Sequence, residues 1–169
     1  MYYYACSYPL KEGSIICKGN WGRINGIDYI LRPRELIQKI RLENIFEQVR
    51  IEKYNYRPSR NNCNFLCPHK EILLKFLEDN SRWFDLLYEV EIMNDDRILI
   101  TNWSLANSVT SDISNEEIRI RAIKYWKPEL INETDIEILV DSDIKIIKQL
   151  EDIPDVRKGI NPFNSIYHL

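Results

Sequence analysis

The sequence predicts a mixed α+β domain built around largely antiparallel strands. Short strand-like runs lie at both ends of the chain, at residues 2–6 and 136–150. Segments with helical spacing of apolar residues lie between them, and polar or glycine- and proline-containing turns separate the runs. Strands that precede and follow helices, without strict βαβ alternation, point to antiparallel pairing and a layered core.

The chain has 169 residues, with 44% hydrophobic and 29% charged residues, which fits one soluble domain with its own core. We expect a single domain over 1–169, with a core at about 2–150 and an irregular tail at 151–169. No stretch approaches the roughly 18 apolar residues of a membrane span. The first residues, Met1-Tyr2-Tyr3-Tyr4-Ala5-Cys6, lack the basic start and long apolar stretch of a secretory signal, so the cytoplasm is the expected compartment. A net charge of −3 argues against a protein whose main task is coating nucleic acid.

The elements follow in order. A strand at 2–6 leads through Pro9 and Gly13 to a second short run at 14–17. Gly19-Asn20-Trp21-Gly22, with Gly26 beyond it, is a glycine-rich loop that allows close approach of another group. It reads either as the wall of a pocket or as a turn anchored by Trp21. Residues 34–53 read as a helix, with Leu36, Ile37, Ile40, Ile45, Phe46 and Val49 at helical spacing, and Pro58 closes the region. Asn64-Phe65-Leu66-Cys67 reads as a strand, and Pro68 as the opening of a helix carrying Ile72, Leu73, Phe76 and Leu77. Residues 86–93 and 97–101 read as a hairpin turning at Asp95-Asp96. After the polar stretch 107–112, Ser114-Asn115-Glu116-Glu117 matches a capping box before a helix that ends by Pro128. Residues 136–140 and 144–150 are the last strands, with Asp141-Ser142-Asp143 as their turn, followed by a tail with Pro154, Gly159 and Pro162.

Glu137 is the principal candidate site residue. Strand alternation puts Ile136, Ile138 and Val140 on one face and Glu137 with Leu139 on the other. With both faces covered, the carboxylate must be hydrogen-bonded, protonated or held for a ligand, because burying it unpaired costs several kcal/mol. On an edge strand it would face water instead. Cys6, Cys17, Cys63 and Cys67 have poor spacing for zinc; Cys63, Phe65 and Cys67 are expected on one strand face, as buried thiols. Arg50, Lys53, Arg57 and Arg60 interleave with Tyr54 and Tyr56, a mixture that suits either a solvated face or contact with nucleic acid. Tyr125 is read chiefly as core and Trp126 as freer. His69 is expected at the surface, and neither it nor His168 has neighbours that suggest acid–base work.

Four segments together resemble the ADP-ribosyltransferase-like fold, especially an uncharacterised bacterial and phage family and, more distantly, DNA-modifying ADP-ribosyltransferase toxins. They are Tyr2-Tyr3-Tyr4-Ala5-Cys6-Ser7 with the loop at Gly19-Asn20-Trp21-Gly22; Arg57-Pro58-Ser59-Arg60 running into Asn64-Phe65-Leu66-Cys67; Tyr88-Glu89-Val90-Glu91; and Ala122-Ile123-Lys124-Tyr125-Trp126 leading to Glu137-Ile138-Leu139-Val140. The resemblance implies a split antiparallel sheet with flanking helices and NAD as substrate. It also implies a macromolecular acceptor, protein or nucleic acid, no membrane association, and an antitoxin or defence-system partner if the setting is conflict between phage and host. It places Tyr4 where such enzymes carry His or Arg on the first strand, a departure that removes a cationic or imidazole group. Trp21, Ser59, Arg60 and Phe65 would line the NAD site, with Arg60 toward the pyrophosphate, and Glu137 would be the catalytic carboxylate.

Cleaving the bond between ribose and nicotinamide builds positive charge on the ribose ring, as in glycoside hydrolysis. A fixed carboxylate stabilises that charge and can bond the 2′-hydroxyl. The departure at Tyr4 also admits a second expectation, a module of the same fold that binds NAD or ADP-ribose without turnover.

Overall fold

The structure is a computed structural model and describes residues 1–22, 33–82, 84–94, 97–107 and 113–150, with backbone alone at 33–36. Seven strands and three helices are described: β1 (Tyr2–Cys6), β2 (Ile15–Ile16), α1 (Pro33–Lys53), β3 (Asn64–Leu66), α2 (Lys70–Asp79), β4 (Leu86–Ile92), β5 (Ile98–Asn102), α3 (Asn115–Trp126), β6 (Ile136–Val140) and β7 (Ile144–Gln149). Single 3-10 turns lie at Arg60–Asn62 and Trp103–Leu105. The expectations for Gly26, Asp95-Asp96, residues 108–112 and the tail from 151, including His168, fall outside the described residues.

The strands form two antiparallel sheets, ordered β1-β4-β7-β2 and β3-β6-β5. Tyr3 and Cys67 stitch them together by exchanging both backbone hydrogen bonds, each 2.9 Å. The mixed, antiparallel α+β class expected from the sequence is therefore present.

Side-chain alternation sorts the core into layers. Cys6, Tyr88, Val90, Ile144 and Ile146 from the first sheet meet Leu66, Ile138 and Val140 from the second. On the other face of the three-stranded sheet, Leu99 and Leu139 pack under Leu42, Phe46 and Val49 of α1 and Ile118, Ala122, Tyr125 and Trp126 of α3. On the other face of the four-stranded sheet, Ala5 and Leu87 pack against Ile72, Leu73 and Leu77 of α2. Both faces of β6 are covered, so Glu137 faces the helix layer and not water. Trp126, expected to be freer, is fully buried and donates from Nε1 to the Phe46 carbonyl at 2.9 Å, because an indole in a core must find an acceptor. Cys63 lies in the helix-side cluster whereas Cys67 packs beside α2, since the strand ends at Leu66 and alternation does not carry through.

The helix ends follow their sequence signals. The Ser114 hydroxyl accepts from the Glu117 N–H at 3.1 Å, and Glu116 and Glu117 sit at the positive end of the α3 dipole. Arg50 and Lys53 occupy the last turn of α1. Pro68 does not open α2: His69 takes the N-cap position and the helix starts at Lys70.

Two expected hairpins are replaced by crossings between sheets. β4 pairs with β1 and β7, whereas β5 pairs with β6. Likewise β6 and β7 belong to different sheets despite the three-residue connection Asp141-Ser142-Asp143. The two connections lie side by side: Met93 N–H donates to Asp143 O at 3.1 Å, Asn94 N–H to Ser142 Oγ at 2.8 Å, and Asp141 N–H to Arg97 O at 3.0 Å. The buried Asp141 carboxylate pairs with Lys18 at 2.6 Å and also with Arg97, pinning this corner.

The glycine-rich segment, expected as a loop, is helical at residues 20–22 and approaches its own chain. Gly19 has φ +81° and donates to the Cys63 carbonyl at 3.3 Å, while a Cβ on Gly22 would lie 2.5 Å from the Asn61 carbonyl oxygen. Close approach is thus required at Gly22, and the group approached is the turn carrying Arg60. Gly22→Ala is expected to destabilise the protein by about 1–3 kcal/mol, the usual cost of forcing extra volume into a packed contact. Thermal melts measure this as a midpoint lowered by several degrees, and an unchanged midpoint would mean that the turn yields freely.

Candidate functional site

The site is built where α1, the Arg60 turn, α3 and β6 meet. α1 buries Leu42, Phe46 and Val49, and Glu43 is carried into the same interior because it stands three residues, nearly one turn, before Phe46. Ser59 caps the 3-10 turn, accepting from the Asn61 N–H at 3.3 Å and donating to Glu47 at 3.0 Å. That turn delivers Arg60 inward to 6% exposure, beside Glu43 at 5% and Glu137 at 7%.

Arg60 joins the groups. Its Nε and Nη2 form a two-pronged contact with Glu43, Nε to Oε2 at 3.0 Å and Nη2 to Oε1 at 3.0 Å. Its Nη1 donates to the Tyr125 hydroxyl oxygen and to Glu137 Oε1, the latter at 3.3 Å. The Tyr125 hydroxyl in turn donates to Glu137 Oε1 at 2.8 Å. Both hydrogen bonds to the Glu137 carboxylate therefore converge on Oε1, and Oε2 has none among the described residues. The guanidinium lies among aromatic rings, 5.0 Å from the Phe65 centroid, 4.9 Å from Tyr125 and 5.8 Å from Phe46.

Trp21 brings the glycine-bearing segment to this cluster. Its Nε1 donates to Glu43 Oε1 at 3.3 Å and its ring meets Phe65 edge-on, with centroids 6.1 Å apart. Lys39 Nζ sits 4.1 Å from the Trp21 ring centroid. Trp21 and Phe65 are half-buried and border the more enclosed Arg60 and Glu137.

The electrostatics follow from one guanidinium facing two carboxylates. Burial pushes Glu137 above its ordinary value; Arg60 and the Tyr125 hydrogen bond pull it back, and Glu43 pushes it up again. Burial opposes the Arg60 charge, but Glu43, Tyr125 and Glu137 outweigh it and hold the guanidinium firmly protonated. Burial raises Tyr125 well above its usual range, so its hydroxyl stays a donor to Glu137.

Among the expected site residues, the structure brings together Trp21, Arg60, Phe65 and Glu137, with Ser59 supporting the Arg60 turn through Glu47. Tyr4 lies apart. It packs in the layer between the sheets with Ile138, on the opposite face of β6 from Glu137. The Tyr4 hydroxyl is hydrogen-bonded to the side chain of Asn20, next to Trp21, and burial raises its pKa well above the ordinary value. Of the basic stretch, Arg60 is buried, and Arg50 is occupied by Glu47 and the carbonyls of Asn55 and Arg57, which leaves a smaller cationic face than four residues imply. Glu43 is the residue that sequence reasoning missed. Its signal was an acidic residue placed on the apolar stripe of α1.

Arg60→Met leaves two buried carboxylates facing each other without a cation, an expected loss of about 3–5 kcal/mol at neutral pH in urea denaturation. That loss shrinks in acid, where the carboxylates take up protons. Glu137→Gln keeps both acceptor contacts and removes the titration. Because the folded state holds the Glu137 proton more tightly than the unfolded chain, stability from this group is present below 4.5 and is lost as pH rises through the raised folded value. The stability difference, variant minus wild type, is therefore expected to grow as pH rises from about 4.5; a difference independent of pH would assign Glu137 an ordinary titration.

No curated protein matches the sequence. The model of the family described as "Protein of unknown function (DUF2441)" matches residues 20–152, a span that takes in Trp21, Glu43, Arg60, Phe65, Tyr125 and Glu137 and leaves out the strand with Tyr4. With most of its length matched, the chain belongs to the DUF2441 family.

Proposed function

We propose that the chain is an NAD-dependent ADP-ribosyltransferase that modifies a macromolecular acceptor, protein or nucleic acid, with Glu137 as its catalytic carboxylate. The observation that supports this reading is the state of Glu137. Its carboxylate is enclosed in the helix layer, its Oε1 is held by Tyr125 and Arg60, and Oε2 has no partner among the described residues on a side chain 10% exposed. Oε2 is not a fully buried atom, so the oxygen left free by Tyr125 and Arg60 is the one that a ligand hydroxyl can reach.

In this reading Trp21 and Phe65 supply aromatic surface for the nicotinamide, and Glu137 Oε2 takes the ribose hydroxyl. The bond between C1′ and the nicotinamide nitrogen breaks, its electron pair leaves with the neutral nicotinamide, and the ribose ring carries the positive charge. The fixed negative charge of Glu137 stabilises that ring, and its low-dielectric surroundings strengthen the effect. An acceptor oxygen or nitrogen then bonds to C1′ and gives up its proton to the Glu137 carboxylate, from which it passes to water. Arg60 serves as the positioning group for Glu137, because every nitrogen of its guanidinium is already engaged by Glu43, Tyr125 or Glu137. The pyrophosphate would be held by other donors or would have to displace Glu43.

That same occupancy, together with the position of Tyr4 across the sheet, favours a second reading: a module that binds NAD or ADP-ribose without consuming it, acting as an inhibitor or sensor. Incubation of the purified protein with NAD labelled in its ADP-ribose part and a cell lysate separates the two. The transferase reading expects a labelled acceptor and released nicotinamide, both reduced by at least about 100-fold in Glu137→Gln. Binding in calorimetry without nicotinamide release over hours supports the second reading. No binding and no release would sink both.

A further inference from the structure

We infer that Glu43 is a positioning residue for Glu137: by taking the Nε and Nη2 edge of Arg60 it leaves Glu137 a single N–H of the guanidinium and so keeps that carboxylate only partly neutralised. The geometry carries this. Two carboxylates share one guanidinium, and the share is unequal, with Glu43 held by two prongs at 3.0 Å and Glu137 by one nitrogen at 3.3 Å. The cluster has formally one more negative than positive charge, in a place where water screens little. Trp21 Nε1 takes part of the Glu43 charge at Oε1, which ties the glycine-bearing segment to the same pair.

The other groups facing Glu137 do not change this balance near neutral pH. Tyr125 donates a hydrogen bond and stays protonated, as burial raises it. The neighbouring thiols are likewise held protonated, Cys63 by burial well above its ordinary value and Cys67 by burial up to about 12. Among the described residues, the charged side chains bonded to one another in this cluster are those of Glu43, Arg60 and Glu137. Without the Glu43 charge, the whole guanidinium would be available to Glu137, which would become a well-satisfied ion pair with less field to offer a cationic ring. The catalytic consequence rests on the transferase reading; the positioning itself does not.

The test reads the carboxylates directly, without NAD. Protein labelled with ¹³C at the glutamate carboxyl carbons is titrated by NMR, with the Glu137 and Glu43 signals assigned from Glu137→Gln and Glu43→Gln. In wild type the Glu137 signal is expected to titrate above the ordinary carboxylate range, because burial and the Glu43 charge both push it up. In Glu43→Gln the Glu137 titration is expected to move to lower pH. An unmoved Glu137 titration in a folded Glu43→Gln would overturn the inference. If Glu43→Gln does not fold, a wild-type Glu137 signal that titrates in the ordinary carboxylate range overturns it. Nicotinamide release by the wild type is measured separately, so a protein that releases none while its Glu137 titration moves in Glu43→Gln loses the transferase reading and keeps this one.

Discussion

A single buried guanidinium organises the helix side of this molecule. Arg60 reaches α1 through Glu43, α3 through Tyr125 and β6 through Glu137, so three elements distant in sequence meet at one cation. Removing two carboxylates and an arginine from water costs several kcal/mol per ion, and their attraction offsets that only when the donors and acceptors are well matched. Arginine suits this position because its planar fork bonds Glu43 along one edge and leaves Nη1 for a second carboxylate, which a lysine ammonium could not do with the same geometry. The aromatic rings of Phe46, Phe65 and Tyr125 complete the shell and accept the flat cation at their faces and edges.

The two sheets decide which groups share this space. β6 has both faces covered, and its alternation sends Ile136, Ile138 and Val140 between the sheets while Glu137 turns toward the helices. The chain passes from one sheet to the other between β4 and β5 and again between β6 and β7, and Asp141 anchors that corner through Lys18 and Arg97. Tyr4 belongs to the four-stranded sheet and faces the layer between the sheets, so the thickness of β6 separates it from Glu137. One route from the first strand to the Glu137 region runs around the sheet margin, from Tyr4 through Asn20 to Trp21 and Glu43.

This arrangement gives the proposed chemistry a particular character. The carboxylate is supported from one oxygen, its neighbouring cation is divided between two acids, and aromatic edges border it. In the proposed reaction such a site would keep negative charge beside the ribose ring as positive charge develops there, with little reorganisation needed at that moment. It is less well provided with free cations for phosphate, since Arg60 is spent on internal pairs and Lys39 lies over Trp21.

Much of the local structure was legible in the sequence. Helical spacing identified α1 and α3, Ser114 marked the α3 start, and alternation put Glu137 on the face opposite Ile136, Ile138 and Val140, with the covering of that face left open. Periodicity and capping act over a few residues, so a single chain carries them in plain view. The sequence did not reveal that successive strands β4 and β5, or β6 and β7, belong to different sheets, because a turn signal reports a change of direction and not the partner that follows. Nor did it reveal Glu43, the freedom lost by Trp126, or the separation of Tyr4 from Glu137. Those depend on which faces meet after the sheets and helices pack. Burial turned an acid on the stripe of α1 into the partner of Arg60, and long-range contact geometry alone decides burial.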